Sequence, residues 1–228
     1  MLPTINRRLT AVAEFVRHGA VLADVGTDHA YLPVYLVSKG VCPRAIASDI
    51  NRGPLSRAER NIAEAGLSAV IDTRLTNGLC GLDALGVTDI AICGMGGELI
   101  AKIIEDAPFT ASREIRLILQ PMTKADSLRL WLLSHGYTIT DEALVRDDRI
   151  YQVICAEFSG ENTDYSSAEL LLGRHNIKYG SALLHELAQS AISAAETKRR
   201  GRASAGLSTE NEDSLIAELS TILQSEGA

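Results

Sequence analysis

With 228 residues, 46% of them apolar and only 4% aromatic, the chain can fill one sizeable core plus a small appendage, not two full domains. A formal charge of −7 excludes a protein coated in positive charge, although a local basic face can still hold phosphate on an acidic molecule. No apolar run reaches the ~20 residues that span a bilayer, and the opening MLPTINRRLT is too polar for a signal peptide. Cys42, Cys80, Cys93 and Cys155 are scattered without a C-x-x-C pair, so free thiols, a cytoplasmic location, no metal and no membrane partner are expected.

The first element is an amphipathic helix over 4–18, with Ile5, Leu9, Val12 and Val16 on one face and Gly19 as its stop. The apolar run 20–25 is a strand, and a helix over 30–39 follows, where Pro33 is tolerable only in the first turn. Residues 45–49 form a second strand. The next helix has Pro54 at its first position and Leu55, Ala58, Ile62 and Ala65 as its buried stripe, ending at Gly66. Strands at 70–75, 89–93 and 116–119 continue the alternation. The helix after 93 is expected to bury Leu99, Ile100, Ile103 and Ile104, and another helix covers 126–134. Short apolar strands alternating with helices mean an α/β fold with a parallel sheet covered on both faces. Two strands at 137–144 and 151–158 then meet through Arg146-Asp147-Asp148-Arg149 with no helix between, which places an antiparallel hairpin at the sheet's end. From 161 the pattern is helical, with Leu183, Leu187, Ala191 and Ala195 on one stripe and Leu215, Ile216, Leu219, Ile222 and Leu223 on another. Residues 201–209 are expected to be a flexible turn joining the two into a helical hairpin.

Ligands of open parallel sheets bind outside the carboxyl ends of the strands, and each such end here is unusual. The first carries Asp24-Val25-Gly26-Thr27-Asp28-His29-Ala30, where Gly26 lets backbone approach a ligand. A dinucleotide-binding G-x-G-x-x-G would place glycine where Asp28 stands. A carboxylate there repels pyrophosphate and suits a cation; the plain alternative is that Asp28 caps the following helix, and His29 has an equally plain structural role open to it. Asp49, at the second end, can accept two ribose hydroxyls, or simply make a turn. Asn77-Gly78 at the third end can meet an adenine edge, or be an ordinary turn. The fourth end, Cys93-Gly94-Met95-Gly96-Gly97-Glu98, has more glycine than a tight turn needs, and Cys93 suits a small buried thiol better than a nucleophile. Gln120-Pro121-Met122 marks the fifth end.

Together VGTDHAYLP, Asp49-Ile50-Asn51, GMGG at 94–97 and LQP at 119–121 resemble the bacterial tRNA (adenine-22-N1)-methyltransferase family, over roughly residues 4–158. The resemblance implies a Rossmann-like class I methyltransferase domain with a mostly parallel seven-stranded sheet, expected over 1–160. A C-terminal helical, coiled-coil-like domain is expected over 161–228. It also implies S-adenosyl-L-methionine as methyl donor and N1 of a tRNA adenine as acceptor, in a monomer or weak dimer. Asp24, Gly26, Thr27, Asp28, His29, Asp49, Ile50, Asn77, Gly78, Cys93 and Gly94 are then expected around the cofactor. Asp28 and Met95 are expected at the reacting atoms, with Tyr31, Gly96, Gly97 and Gln120 against the target base. Arg7, Arg8, Arg52, Arg57 and Arg60 would hold tRNA phosphates at the mouth, and Lys198-Arg199-Arg200-Gly201-Arg202 is either a further phosphate site or a solvated helix end. Two rival functions remain: an NAD-dependent oxidoreductase, which the missing glycine pattern and the terminal hairpin disfavour, and a non-catalytic RNA-binding module.

Overall fold

The computed structural model describes residues 4–225; residues 1–3 and 226–228, the outermost parts of the two expected domains, lie outside the described residues. The chain divides into two compact units, residues 1–163 and 164–228.

In the first unit, helix α1 (Arg7–Glu14) is followed by strand β1 (Val21–Val25), α2 (Tyr31–Ser38), β2 (Arg44–Asp49), α3 (Arg52–Glu64) and β3 (Ile71–Leu75). Then come β4 (Asp89–Gly96), α4 (Gly97–Glu105), β5 (Arg116–Thr123), α5 (Ala125–Ser134), β6 (Tyr137–Arg146) and β7 (Ile150–Phe158). The seven strands make one sheet in the order β3-β2-β1-β4-β5-β7-β6. The first five run parallel, and β7 inserts antiparallel between β5 and β6. Consecutive residues such as Ile90, Ala91 and Ile92, or Leu117, Ile118 and Leu119, are wholly buried, as they must be where both faces of a sheet are covered.

Several element ends differ from the sequence expectation, for local physical reasons. Helix α1 is shorter than 4–18 because Asn6 caps it, its Oδ1 accepting from the Leu9 N–H at 2.9 Å. Pro54 lies at the third rather than the first position of α3, still within the turn whose N–H groups have no helical partner. Strands β4 and β5 run three and four residues past their expected ends (Gly96 against 93, Thr123 against 119). They stay paired through Met95↔Pro121 and Gly96↔Thr123, with register shifts around a left-handed Gly94 (φ 78°). The GMGG run is therefore largely a bulged strand extension. In α4, Ile100 and Ile104 are buried, but Leu99 is 53% exposed and Ile103 only half-buried, which corrects the four-residue core stripe.

Two buried ion pairs brace this unit. Asp89, wholly buried, accepts from the Arg17 backbone N–H and Nε, both at 2.8 Å, while Arg17 Nη2 reaches the carbonyls of Thr88 (2.7 Å) and Glu114 (2.8 Å). That clamp ties the segment after α1 to the amino-terminal ends of β4 and β5. At the other flank Arg129 of α5 is buried, with Nε on Glu142 Oε1 and Nη2 on Gln152 Oε1, each at 2.6 Å, joining α5 to β6 and β7.

The second unit contains α6 (Ser167–Leu172), α7 (Arg174–Tyr179), α8 (Ala182–Ser204) and α9 (Glu210–Ser225). Residues 161–166 are not helical, and α6 starts at a capping box formed by Ser166 and Glu169. Helix α8 continues through 201–204, so the turn to α9 is confined to 205–209. The expected flexible turn was too long because Lys198, Arg199 and Arg202 are tied to α9, through Glu212 (2.9 Å), Asp213 (3.1 Å) and Glu212 (3.4 Å). Arg202 Nε also bonds the Ser208 carbonyl at 2.7 Å. The buried stripe of α8 centres on Leu184, Ala188 and Ala195, with Leu183, Leu187 and Ala191 half-buried beside it.

Removing one partner of a buried ion pair leaves the other charge without solvent or counter-ion. Arg129→Met should therefore lower unfolding free energy by about 3–5 kcal/mol in urea titrations. Arg129→Met combined with Glu142→Leu should recover much of that loss, because no orphaned charge remains.

Candidate functional site

The carboxyl ends of β1 to β4 open into two adjoining cavities that share Gly26, Cys93 and Gly94. One, of about 380 Å³, is lined by Asn6, Arg8 and Leu9 from the start of α1, by Asp24, and by the loop from Gly26 to Leu32. The other, of about 320 Å³, is lined by Ser48 to Asn51, Thr76 to Gly78, Met95, Leu99 and Ile103. The partial exposure of Leu99 and Ile103 is thus explained, since they form an apolar wall beside Asp49 and Ile50.

The first loop leaves β1 through Gly26, whose φ of 77° is open to glycine and costly for other residues. A β-carbon there would also collide with Met95 Cε, so the absent side chain makes room for Met95 across the strand ends. The Gly26 and Thr27 N–H groups both donate to the Ser48 carbonyl, at 2.8 and 2.9 Å. Thr27, buried, accepts from the Ala30 N–H through Oγ1 at 3.1 Å. Thr27 thus holds the loop while also lining the first cavity.

Asp24 ends in this cavity at 7% exposure and has no cationic partner among the described residues. Burial pushes its carboxyl up to about 6, opposed by a hydrogen bond with Thr27 and assisted by the charge of Asp49. Asp28 does not cap α2, whose N-cap is Ala30 in a left-handed conformation. It sits at the rim, 60% exposed, accepting from Arg57 through Oδ1 and lying 3.2 Å from His29 Nε2 through Oδ2. The expected free anion for a cationic ligand is therefore Asp24; Asp28 already has a counter-ion. The His29 ring stacks on Tyr31 with centroids 4.9 Å apart and planes at 11°, and Tyr31 is 44% exposed beside the cavity.

In the second cavity, Asp49 Oδ1 accepts from the Asn51 N–H at 2.6 Å, while Oδ2 has no partner among the described residues. Ile50 is 61% exposed, Asn77 exposed, and Gly78 turns the chain at φ 57°. Cys93 stands between the cavities; burial and the neighbouring Asp24 push its thiol up, with Arg8 opposing, so the thiolate needed of a nucleophile is disfavoured.

Gln120 differs most from expectation. It is wholly buried, with Oε1 accepting from Arg8 Nη1 and from the Gly94 N–H (3.2 Å) and Nε2 donating to the Pro121 carbonyl (3.0 Å). It cannot hydrogen-bond a target base; it braces Arg8 and the β4 bulge. Gly97 is likewise buried, and a β-carbon there would strike the Lys124 carbonyl, so its small size serves packing instead of a base, whereas a β-carbon at Gly96 would stand 3.4 Å from Thr123 Oγ1.

The expected arginines do not form one free cluster. Arg8 lines the first cavity, over the Tyr151 ring at 5.6 Å. Arg52 pairs with Glu59 at 3.5 Å, Arg57 with Asp28, and Arg7 and Arg60 are exposed. Sequence reasoning missed Asn6, Leu9 and Tyr151, whose roles depend on contacts between distant segments. It also missed Arg149, which stacks on Tyr151 at 4.9 Å. Among the described residues there is no cluster of His, Cys, Asp and Glu able to hold a metal, and no helix long and apolar enough to cross a membrane.

Residues 5–154 match the family model described as a methyltransferase domain. The chain is 38% identical over 170 residues to the tRNA (adenine(22)-N(1))-methyltransferase of Bacillus subtilis, covering 74% of this chain and 71% of that one. Its fold is similar to the crystal structure of the B. subtilis m1A22 tRNA methyltransferase TrmK (TM-score 0.83, 33% identity, 98% and 97% of the two chains). It is also similar to a Streptococcus pneumoniae protein described as a candidate tRNA (m1A22) methyltransferase, solved in complex with S-adenosyl-L-methionine (TM-score 0.85, 34% identity, 96% and 100%). By the extent of these matches and by a seven-stranded sheet with β7 antiparallel beside β5, the chain belongs to the tRNA (adenine(22)-N(1))-methyltransferase family.

Proposed function

We propose that this protein methylates N1 of adenine 22 in tRNA, with S-adenosyl-L-methionine as cofactor. The observation that carries the reading is the buried, unpaired Asp24 at the strand-end crevice, next to a second cavity with an acid and apolar walls. These residues fit that cofactor: Asp24 suits a cationic amino group, Asp49 Oδ2 a ribose, and Ile50, Leu99 and Ile103 a flat apolar ring, with Asn77 and Gly78 at its edge. When bound, the cofactor supplies an electrophilic methyl group on a sulfonium. A pyrophosphate would meet the Asp24 and Asp28 carboxylates instead, and this disfavours the oxidoreductase reading.

Adenine N1 has its own lone pair, so the protein needs no strong general base. Its task is to hold the base in line at short range. N1 lies on the Watson–Crick edge, so the adenine must be turned outward before it reaches the crevice. The exposed face of Tyr31, already stacked on His29, suits such a base, and Met95 forms the floor. Asp28 at the rim, held by Arg57 and near His29, would offset the positive charge that develops on the methylated adenine only by sharing its carboxylate with Arg57. A cytoplasmic site of action follows from a tRNA substrate, and residues 164–228 would form a separate helical domain. Incubation with methyl-labelled cofactor and unmodified tRNA should place label at N1 of adenine 22. Binding of tRNA without any transfer would instead support the non-catalytic module.

Two further outcomes follow. Base–aromatic stacking contributes about 1–3 kcal/mol, so Tyr31→Ala should lower kcat/KM for tRNA roughly 5- to 150-fold, with cofactor affinity unchanged and Tyr31→Phe close to the parent. Asp24 attracts a cation only when ionised, and its carboxyl stands near 6 in the free protein. Cofactor affinity measured by calorimetry should therefore rise from pH 5 to pH 7 and level off above. Asp24→Asn should bind about ten- to a hundredfold more weakly with a flat profile. A parent profile that is flat or falling across this range would remove Asp24 from its role.

A further inference from the structure

We propose that Met95 is a placeholder: in the free protein its terminal methyl fills the space over Gly26 that the cofactor needs, and bound cofactor displaces it. The inference rests on the methyl-donor reading above and concerns how that same site is filled. The two cavities at the strand ends meet at Gly26, Cys93 and Gly94. A ligand with one end at Asp24 and the other at Asp49 and the apolar wall therefore crosses above Gly26. A glycine at such a crossing leaves the space of its missing side chain to the ligand. Here Met95 Cε already stands inside contact distance of the point a Gly26 β-carbon would occupy, with Sδ 3.9 Å from that point. Ligand and methyl group compete for one space.

The GMGG run leaves that side chain free to move. Gly94 takes a left-handed φ of 78°, and the pairing with β5 shifts register on either side of Met95, so the residue leaves the regular pleat of β4. Gly97 is fixed by the Lys124 carbonyl, which a β-carbon would strike. Gly96 has neither reason to be glycine. Its φ is −69°, and a β-carbon there would meet only the Thr123 hydroxyl, 3.4 Å away. What its missing side chain provides is a Met95 with no side chain on either neighbour. Methionine is unbranched and turns about several side-chain torsions, so its methyl can leave Gly26 while the backbone stays in place. Met95 is also only half-buried, and it borders Leu99 and Ile103 in the second cavity. Displacing it exposes little apolar surface, yet in the free protein it keeps water from the join between the cavities.

The chain has three methionines, Met1, Met95 and Met122. In the full chain isotope-labelled at the methionine methyl carbon, the Met95 resonance is the one missing from Met95→Leu. In the free protein this methyl should show a nuclear Overhauser cross-peak to the Gly26 α-protons. Saturation with S-adenosylhomocysteine, which has no methyl group to transfer, should abolish the cross-peak and shift the resonance. Met95→Ala lacks the placeholder and should take up S-adenosylhomocysteine about fourfold faster, the equivalent of one buried methyl group. A cross-peak to Gly26 that persists with ligand bound overturns the placeholder role. So does its absence from the free protein, or a Met95→Ala protein that associates no faster than the parent. A parent to which no S-adenosylhomocysteine binds by calorimetry overturns the methyl-donor reading instead.

Discussion

The site depends on a reversal of winding at β1. From β1 the chain builds outward through β2 to β3, then returns to lay β4 against the free side of β1. Connections that diverge in this way leave a crevice over the carboxyl ends of β1 and β4, which no helix bridges. The rest is adjustment to that opening. Gly26 lets the chain leave β1 at a left-handed φ and leaves room for Met95 arriving from β4. The bulge at Gly94 presents Met95, and Gln120 from β5 props it from below.

A crevice of this kind can hold charges that a closed core would not tolerate. Asp89 and Glu142 are also buried acids, but each has an arginine against it. Asp24 has only Thr27 and stands near Asp49, and burial pushes its carboxyl up. An acid left in that condition works against folding as it ionises. A folded-state value near 6 against an ordinary one of 3.8 means the loss begins above the lower figure and is complete above the higher. Conflicts between stability and local chemistry are expected where a ligand completes the arrangement.

The sheet was legible because burial on both faces forces apolar runs with a helix between each, and because the 146–149 turn is too short for a crossover helix. The site was legible where one residue type has one backbone use, as at Gly26. It was misread where a role depends on distant partners. Gln120 ends a strand like a ligand-facing residue, but the helix 112 positions earlier supplies its partner. Gly97 looked like room for a base, yet the space it leaves is filled by Lys124 from the next connection. The α4 stripe seemed wholly core because apolar periodicity does not distinguish packing against a sheet from lining a cavity.

Counts of charge mislead for the same reason. The run from Lys198 to Arg202 looks like a phosphate site in one dimension, yet three of its cations join α8 to the first turn of α9, whose acids also suit the helix's positive end. At the crevice rim Arg57 is likewise matched by Asp28. A phosphate that takes either set must replace a carboxylate, so it gains the difference between two ion pairs instead of a whole new one. Attraction for tRNA in this acidic chain is accordingly set less by how many arginines surround the mouth than by which of them lack a carboxylate. Arg7 and Arg60, both exposed and without an ion pair among the described residues, are cations of that kind.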